Sequence, residues 1–521
     1  MKTPLSTGNH DSLWQLTAAP LAFSPLDQSI TVDVCVVGAG IAGLSVASEL
    51  APFGSVAVLD AVPVGSGMTG RTTAHLSNAL DDRYSAIEHV LDGAKAKLAA
   101  ESHTAAIERI GQMVEKEGID CDWERLDGYL FSPPGEKIAV LQKEYEAARR
   151  AGIQVEWATQ APVAGWNTGS ALRFPDQAQL HPVKYLTGLA KAVVKQGGKI
   201  FTGTRATNMR GGALALVETD TGHVVRALNL VVATNTPVND RFVIHTKQAS
   251  YTTSVVVFRC ESGTAPHVLL WDTSQTAGKH DSYHYVRSWR SDGEDFLIVG
   301  GEDHKTGQFA DPESSFKALE NWARARFPMA GKLVSHWSGQ VFEPLDGMAF
   351  IGRNPADEDN VYIVTGDSGN GITHGAVAGM LIRDLIQKRS NPWSALYDPH
   401  RMAVRTLPRF LRENLNATAQ LRDYITPGEV RGAESILPGE GAIIREGVHK
   451  TAVFRDEDGT LYRLSPVCPH LKGIVRWNAA EQTWDCPCHG ARFDARGRVI
   501  CGPANSDLEE VEDALLEPAF P

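Results

Sequence analysis

The order of motifs along the chain predicts an α/β domain of the doubly wound, Rossmann-like kind, interrupted by an antiparallel β-sheet domain (α+β) and followed by a small all-β domain. Three observations predict it. Residues Thr31–Asp60 read as strand, glycine turn, helix and strand, and a second strand, glycine loop and helix occur far downstream at 360–385. Beyond Pro427-Gly428 the chain breaks into short strands split by Gly and Pro, with paired Cys and His in two of the loops. A length of 521 residues, 43% apolar and 21% charged, accommodates two or three domains.

Residues 1–30 read as an irregular arm packed on the first domain. In the following unit Gly38 permits a tight turn, and Gly40 lets a pyrophosphate approach the backbone of Ile41 and Ala42 at the helix N-terminus. Gly43 lets that helix pack closely on the sheet, and Asp60 ends the second strand where it can hydrogen-bond ribose hydroxyls. The pattern is a dinucleotide fingerprint in its full context. Glycines and hydroxyls dominate Gly65–His75, so Gly70, Arg71, Thr72, Thr73 and His75 suit a loop wrapping the cofactor. Val231-Val232-Ala233-Thr234 fits the strand that closes the cofactor domain and adds Ala233 and Thr234 to its contacts.

Alternating strands fill 151–345, the expected substrate domain. Period two puts Tyr283, Tyr285 and Arg287 on one sheet face, where they could orient a polar substrate or simply pack the sheet. His304, in Gly301-Glu302-Asp303-His304-Lys305, is a candidate base or part of a solvated turn. The expected boundaries are therefore 31–150 and 346–396 for the cofactor domain (with 200–240 contributing) and 151–345 for the substrate domain. A charged helical linker at 397–427 and the last domain at 428–521 complete the chain.

In that last domain Cys468-Pro469-His470 is followed, fifteen residues on, by Cys486-Pro487-Cys488-His489. C-x-H then C-x-x-H is the ligand set of a Rieske [2Fe–2S] cluster, with thiolates on one iron and imidazoles on the other. Zinc takes the same ligand types, but its pairs usually sit two or more residues apart, whereas one residue separates Cys468 from His470. The surroundings resemble Rieske proteins too: Cys-Pro-His-Leu-Lys-Gly, Cys-Pro-Cys-His-Gly, Arg492-Phe493-Asp494, and Gly502-Pro503 at the proline loop. In high-potential members a disulfide bridges the loops and a serine follows the second His-Gly. Here Cys488 faces Gly473 in place of the second cysteine, and Ala491 stands for the serine.

The downstream segment Gly366-Asp367-Ser368-Gly369-Asn370-Gly371-Ile372-Thr373-His374-Gly375, and Asp346-Gly347-Met348-Ala349-Phe350-Ile351-Gly352 before it, resemble the D-amino-acid-oxidase superfamily of FAD enzymes over roughly residues 30–395. The resemblance implies FAD, with Gly366, Gly369, Gly371, Ile372 and Thr373 near the flavin ring and His374 a candidate in catalysis. Gly70–His75 is similar to the loop of dimethylglycine and sarcosine dehydrogenases whose histidine is joined to the flavin, so His75 is either covalently attached or a hydrogen-bonding, structural residue. Leu297–Glu302 lacks the third glycine and the helix that a second, NAD-binding unit would need. The W-x-G-x-Arg of many amino-acid oxidases is also incomplete: Trp337-Ser-Gly339-Gln340 runs into Val341, removing a carboxylate clamp.

The fusion implies a flavin dehydrogenase that oxidises a C–N bond of a small amine or amino acid, possible N-methylation included. Electrons leave singly through the cluster to an external carrier: a quinone, a ferredoxin or an electron-transfer flavoprotein. The reverse current, from a ferredoxin to a reducing or oxygen-activating flavin, and a pure electron-transfer module for a partner oxygenase are the alternatives. A formal net charge of −12 argues against nucleic acid or an anionic membrane surface as partner. No run of eighteen apolar residues and no export signal is seen, and seven scattered cysteines suit a reducing cytoplasm. Without the disulfide and the serine fewer groups stabilise the reduced cluster. A redox titration is therefore expected to give a midpoint in the lower part of the Rieske range of about −150 to +300 mV; a value above roughly +200 mV would contradict this.

Overall fold

Strand Ile30–Val37 is apolar along most of its length because it lies inside a sheet covered on both faces. In the computed structural model, which describes residues 11–136, 138–239, 243–273, 283–309, 311–447 and 449–511, this strand is central to an eight-stranded sheet. Residues 1–10 of the expected arm, Ser282, and 512–521 of the expected last domain lie outside the described residues. The sheet runs Phe350–Arg353, Val361–Thr365, Val224–Val232, Ile30–Val37, Val56–Leu59, Lys199–Phe201. All neighbours are parallel except the edge strand Phe350–Arg353. Ala206–Arg210 and Ala215–Thr219 add an antiparallel ribbon to it. Helices Ile41–Leu50 and Gly371–Ile386 pack together on one face; a Cβ on Gly379 would lie 2.9 Å from the Ser45 carbonyl oxygen.

The second, nine-stranded sheet is antiparallel apart from one parallel pair, Leu269–Asp272 with Glu124–Phe131. Long strands Gln248–Cys260, Glu294–Lys305 and Leu333–Pro344 form its middle and one edge. Its membership departs from the expected 31–150 and 151–345 boundaries. Glu124–Phe131 and His75–Leu76 pair with Ala171–Gln179 and so join this sheet; Lys199–Phe201 to Val224–Val232, from the stretch expected to contribute to the cofactor domain, lie in the other. The two domains thus exchange segments several times, because a strand's sheet is decided by a partner distant in sequence.

Helix Leu407–Ala419 leads to a C-terminal unit of two small sheets, one of three strands and one of four. Ile443, Phe454, Trp484 and Phe493 fill its core. Among the described residues no helix is long and apolar enough to cross a membrane. The unit is fastened to the large sheet by Glu481, whose carboxylate accepts from the Ser338 amide at 3.1 Å and its hydroxyl at 2.7 Å, and pairs with Arg71 at 3.4 Å. Both side chains of that ion pair are at most 1% exposed. Glu481→Ala leaves a buried guanidinium uncompensated and is expected to cost about 3–5 kcal/mol in urea unfolding. A loss below about 1 kcal/mol would mean the pair contributes little.

Candidate active site

A cavity of about 790 Å³ lies between the two sheets, within the usual range of about 300–1,000 Å³ for small-molecule sites. Both helix N-termini open into it, at Gly40-Ile41-Ala42 and at Asn370-Gly371-Ile372, and neither N-cap residue supplies a side-chain acceptor. Such ends attract an anionic group. Gly38, at φ +107°, brings the turn so close that a Cβ would sit 2.3 Å from the Ala233 carbonyl oxygen. Gly43 supports this turn from behind rather than lining the cavity; its own Cβ would lie 1.8 Å from the Gly38 oxygen. Asp60 lines the cavity, its oxygens accepting from the amides of Ala39 (2.6 Å) and Val62 (3.0 Å). Ala233, Thr234, Gly366 and Gly369 complete this half. A glycine cradle with two open helix ends fits a flavin dinucleotide.

Of the expected wrapping loop, Arg71, Thr72, Thr73 and His75 line the cavity, and Gly70 does not. Arg71 spends its guanidinium elsewhere, on the Ser338 carbonyl at 2.8 Å and on Glu481. His75 has both ring nitrogens engaged, Nδ1 with Thr73 Oγ1 at 3.0 Å and Nε2 with the Val286 carbonyl at 3.2 Å. Burial, helped by the nearby Arg287 charge, pushes its pKa down to about 3. A neutral ring so held needs no bond to a cofactor to be ordered.

The large sheet roofs the cavity with Tyr251, Thr253, Trp271, Tyr283, Tyr285 and Asp303. Tyr283 donates to Asp81 Oδ2 at 3.0 Å, and Tyr285 shares a 2.6 Å hydrogen bond with Thr253. Arg287 does not reach the cavity. It lies on the face expected, but its fully buried head donates to the carbonyls of Thr73 (3.0 Å), Ala74 (2.9 Å) and Leu180 (3.0 Å) and rests over Trp14, tying the wrapping loop to the sheet. His304 is likewise absent from the lining. It is buried against Phe309 with Nδ1 toward the Glu302 carbonyl, on the side facing the cluster domain. His374 does line the cavity, held between the Asp367 carbonyl (2.9 Å) and His103 (3.1 Å), with burial pushing its pKa down to about 4. Thr373 turns away to the Asn370 carbonyl at 3.0 Å.

Sequence reasoning missed the wall supplied by the cluster domain itself. Val499, Ile500, Cys501, Gly502, Ala504 and Asn505 line the same cavity. Gln340 bridges the seam: its amide donates to the Gly490 carbonyl at 2.6 Å and its oxygen accepts from Cys501 at 2.8 Å. Asp81 and Asp82, adjacent acids after the wrapping loop, also line the cavity and belong to no motif that spacing would single out.

Cys468 and Cys486 are buried and in side-chain contact, and the His470 and His489 rings lie 5.2 Å apart. One pair of thiols and one pair of imidazoles match the ligand set of a two-iron cluster with thiolates on one iron and imidazoles on the other. His489 Nδ1 is buried with no hydrogen-bond partner, as a nitrogen kept for a metal would be. A Cβ on Gly473 would lie 2.6 Å from Cys488 Sγ, so glycine here leaves open the space beside that sulfur that a bridging side chain would fill. Acid precipitation of the flavoprotein is expected to leave the yellow colour in the supernatant, given His75's two hydrogen bonds; colour that pellets with protein would establish a covalent link.

Residues 33–385 match the FAD dependent oxidoreductase family and 428–512 the Rieske [2Fe-2S] domain. A protein of Bacillus subtilis (strain 168) bearing the name of a Rieske 2Fe-2S iron-sulfur protein, YhfW, is 28% identical over 507 residues, 96% of this chain and 97% of that one. Gamma-glutamylputrescine oxidoreductase of Escherichia coli (strain K12) is 27% identical over 389 residues, covering 73% and 89%. The crystal structure of glycine oxidase from Geobacillus kaustophilus superposes with a TM-score of 0.59 at 19% identity, over 71% of this chain and 99% of that one. Both cofactors follow from these matches. The chain belongs to the FAD dependent oxidoreductases of the D-amino-acid-oxidase kind, and it carries a C-terminal Rieske [2Fe-2S] domain.

Proposed function

We propose that the protein is an amine dehydrogenase, which oxidises a C–N bond of a small cationic amine or amino acid and releases the electrons singly through its cluster to an external carrier. One observation carries the reading: residues of the cluster domain line the same cavity as the glycine cradle, so the one-electron outlet is docked on the flavin site. Cys468 and Cys486 would hold one iron, His470 and His489 the other. Gly38, Gly40 and the first helix end would hold the pyrophosphate, and Gly366–Ile372 the ring.

The charge of the lining supports a cation. Seven carboxylates line the cavity (Asp60, Asp81, Asp82, Asp272, Asp303, Glu343, Asp367) against four arginines. Asp60 accepts from two amides, Asp272 pairs with His284 and Glu343 with Arg409. Asp81, Asp82 and Asp367 are without a cationic partner among these arginines, each of which has a protein partner already. Arg71 and its partners lie in the domain seam, Arg83 donates to the Leu80 carbonyl, Arg205 to that of Val499, and Arg409 to Glu343. The relative named for gamma-glutamylputrescine points the same way, toward an amine-derived substrate. Bound FAD supplies the hydride acceptor, and the cluster a one-electron exit. The chain contributes orientation: the Tyr283–Asp81 pair receives an ammonium group, while Trp271 and Tyr285 exclude water from the reacting carbon.

Anaerobic mixing with primary and N-methylated amines is expected to bleach the flavin and then reduce the cluster. Bleaching only by reduced ferredoxin or NADH would instead mark an inward current. Asp81→Asn is expected to raise KM for a cationic amine by about tenfold, with a smaller effect on kcat. Burial raises Asp82 to about 7 and Asp367 to about 6, so both lose charge as pH falls through that interval. Inhibition by a quaternary ammonium compound, which has no proton of its own to titrate, should therefore weaken below pH 7; a flat profile from pH 8 to 5 would reject the carboxylate site.

A further inference from the structure

Helix Leu407–Ala419 is amphipathic in the reverse of the usual sense for a surface helix. Its polar side chains face the protein. Glu413 pairs with Lys305, Asn414 donates to the Thr246 carbonyl at 3.1 Å, and Asn416 donates to Gln308 at 3.2 Å. Its leucines face outward: Leu407, Leu411 and Leu415 are 52%, 53% and 68% exposed, four residues apart on one stripe. Exposed Met402 and Val404 extend the stripe at one end, and Leu421, Tyr424 and Ile425 at the other. Single exposed apolar residues are ordinary, but a continuous run of this extent marks an interaction surface.

The charge on this face has one sign. Arg405, Arg412 and Arg422 are exposed. The acids between 402 and 427 are withdrawn: Glu413 is held by Lys305, and buried Asp423 pairs with Arg476 at 2.7 Å. In a chain of net charge −12 this is a local reversal.

We infer that the face formed by 402–425 docks on an anionic membrane surface, its leucines entering the headgroup–acyl boundary and its arginines meeting lipid phosphates. A second copy fits less well, since a two-fold contact would set these arginines against their own equivalents. An acidic carrier protein satisfies the arginines and leaves the leucines without an apolar counterpart. The face adjoins the cluster loops: Tyr424 donates to the Lys472 carbonyl at 2.6 Å, and Cys488 to that of Ala417 at 3.6 Å. Docking would bring those loops to the bilayer, where a lipid-soluble quinone could take two electrons, delivered singly, and two protons from water to give the quinol. That corollary rests on the outward current proposed above; the lipid contact does not.

The test is sedimentation of the holoprotein with phosphatidylcholine vesicles containing phosphatidylglycerol, against phosphatidylcholine alone. Salt-sensitive binding to the anionic vesicles is expected, weakened at least about tenfold in the Leu411→Glu/Leu415→Glu and Arg412→Glu/Arg422→Glu variants, with flavin and cluster spectra unchanged. No binding by the parent protein, or equal binding by both variants, overturns the inference. A dimer in sedimentation velocity that the leucine variant dissociates overturns it in favour of a second copy. Complex formation with an acidic ferredoxin that only the arginine variant abolishes overturns it in favour of a carrier protein. Vesicle binding without reduction of a soluble quinone by amine-reduced enzyme upholds the lipid contact and removes the outward current.

Discussion

The arrangement of the two redox units depends on Glu481. A carboxylate at most 1% exposed is costly to bury, and it is tolerated because two Ser338 groups and Arg71 surround it. The residues it joins are informative. Arg71 belongs to the loop beneath the flavin cavity, Ser338 to the edge strand of the roof, and Glu481 to the turn before the second cluster loop. One buried charge thus fixes floor, roof and outlet relative to one another. Gln340, two residues beyond Ser338, repeats the bridge at Gly490 and Cys501.

A second connection runs through buried polar side chains. Thr365 on the cavity wall donates to Gln248 at 3.3 Å, Gln248 donates to Thr236 at 3.2 Å, and Thr236 lies 3.4 Å from His245 Nδ1. The His245 ring then meets that of His470 at 4.8 Å. Hydrogen-bonded and packed side chains therefore run from the cavity wall to the cluster loop within this one chain.

Features fixed by local spacing were legible in the sequence. The glycine turn at Gly38, the second helix end at Gly371 and the two cluster loops depend on residues within a few positions of one another. Tyr283 and Tyr285 were legible through strand alternation. Arg287 was not, because the reach of a long side chain carries it to carbonyls of Thr73, Ala74 and Leu180 that only the tertiary fold assembles. His304 fails for the same reason, its environment being set partly by the domain that docks last. Glu124–Phe131 falls in the stretch expected for the cofactor domain but pairs in the other sheet, with a partner some fifty residues away. The net charge of −12 averaged over a face whose exposed charges are all arginine.

The contribution of Val499 to Asn505 to the cavity wall also has a consequence for biosynthesis. The glycine cradle and both helix ends are complete once residue 386 has been made, whereas the remaining wall emerges near the end of the chain. The dinucleotide half of the site is therefore encoded and translated well before the cluster-domain wall that completes it.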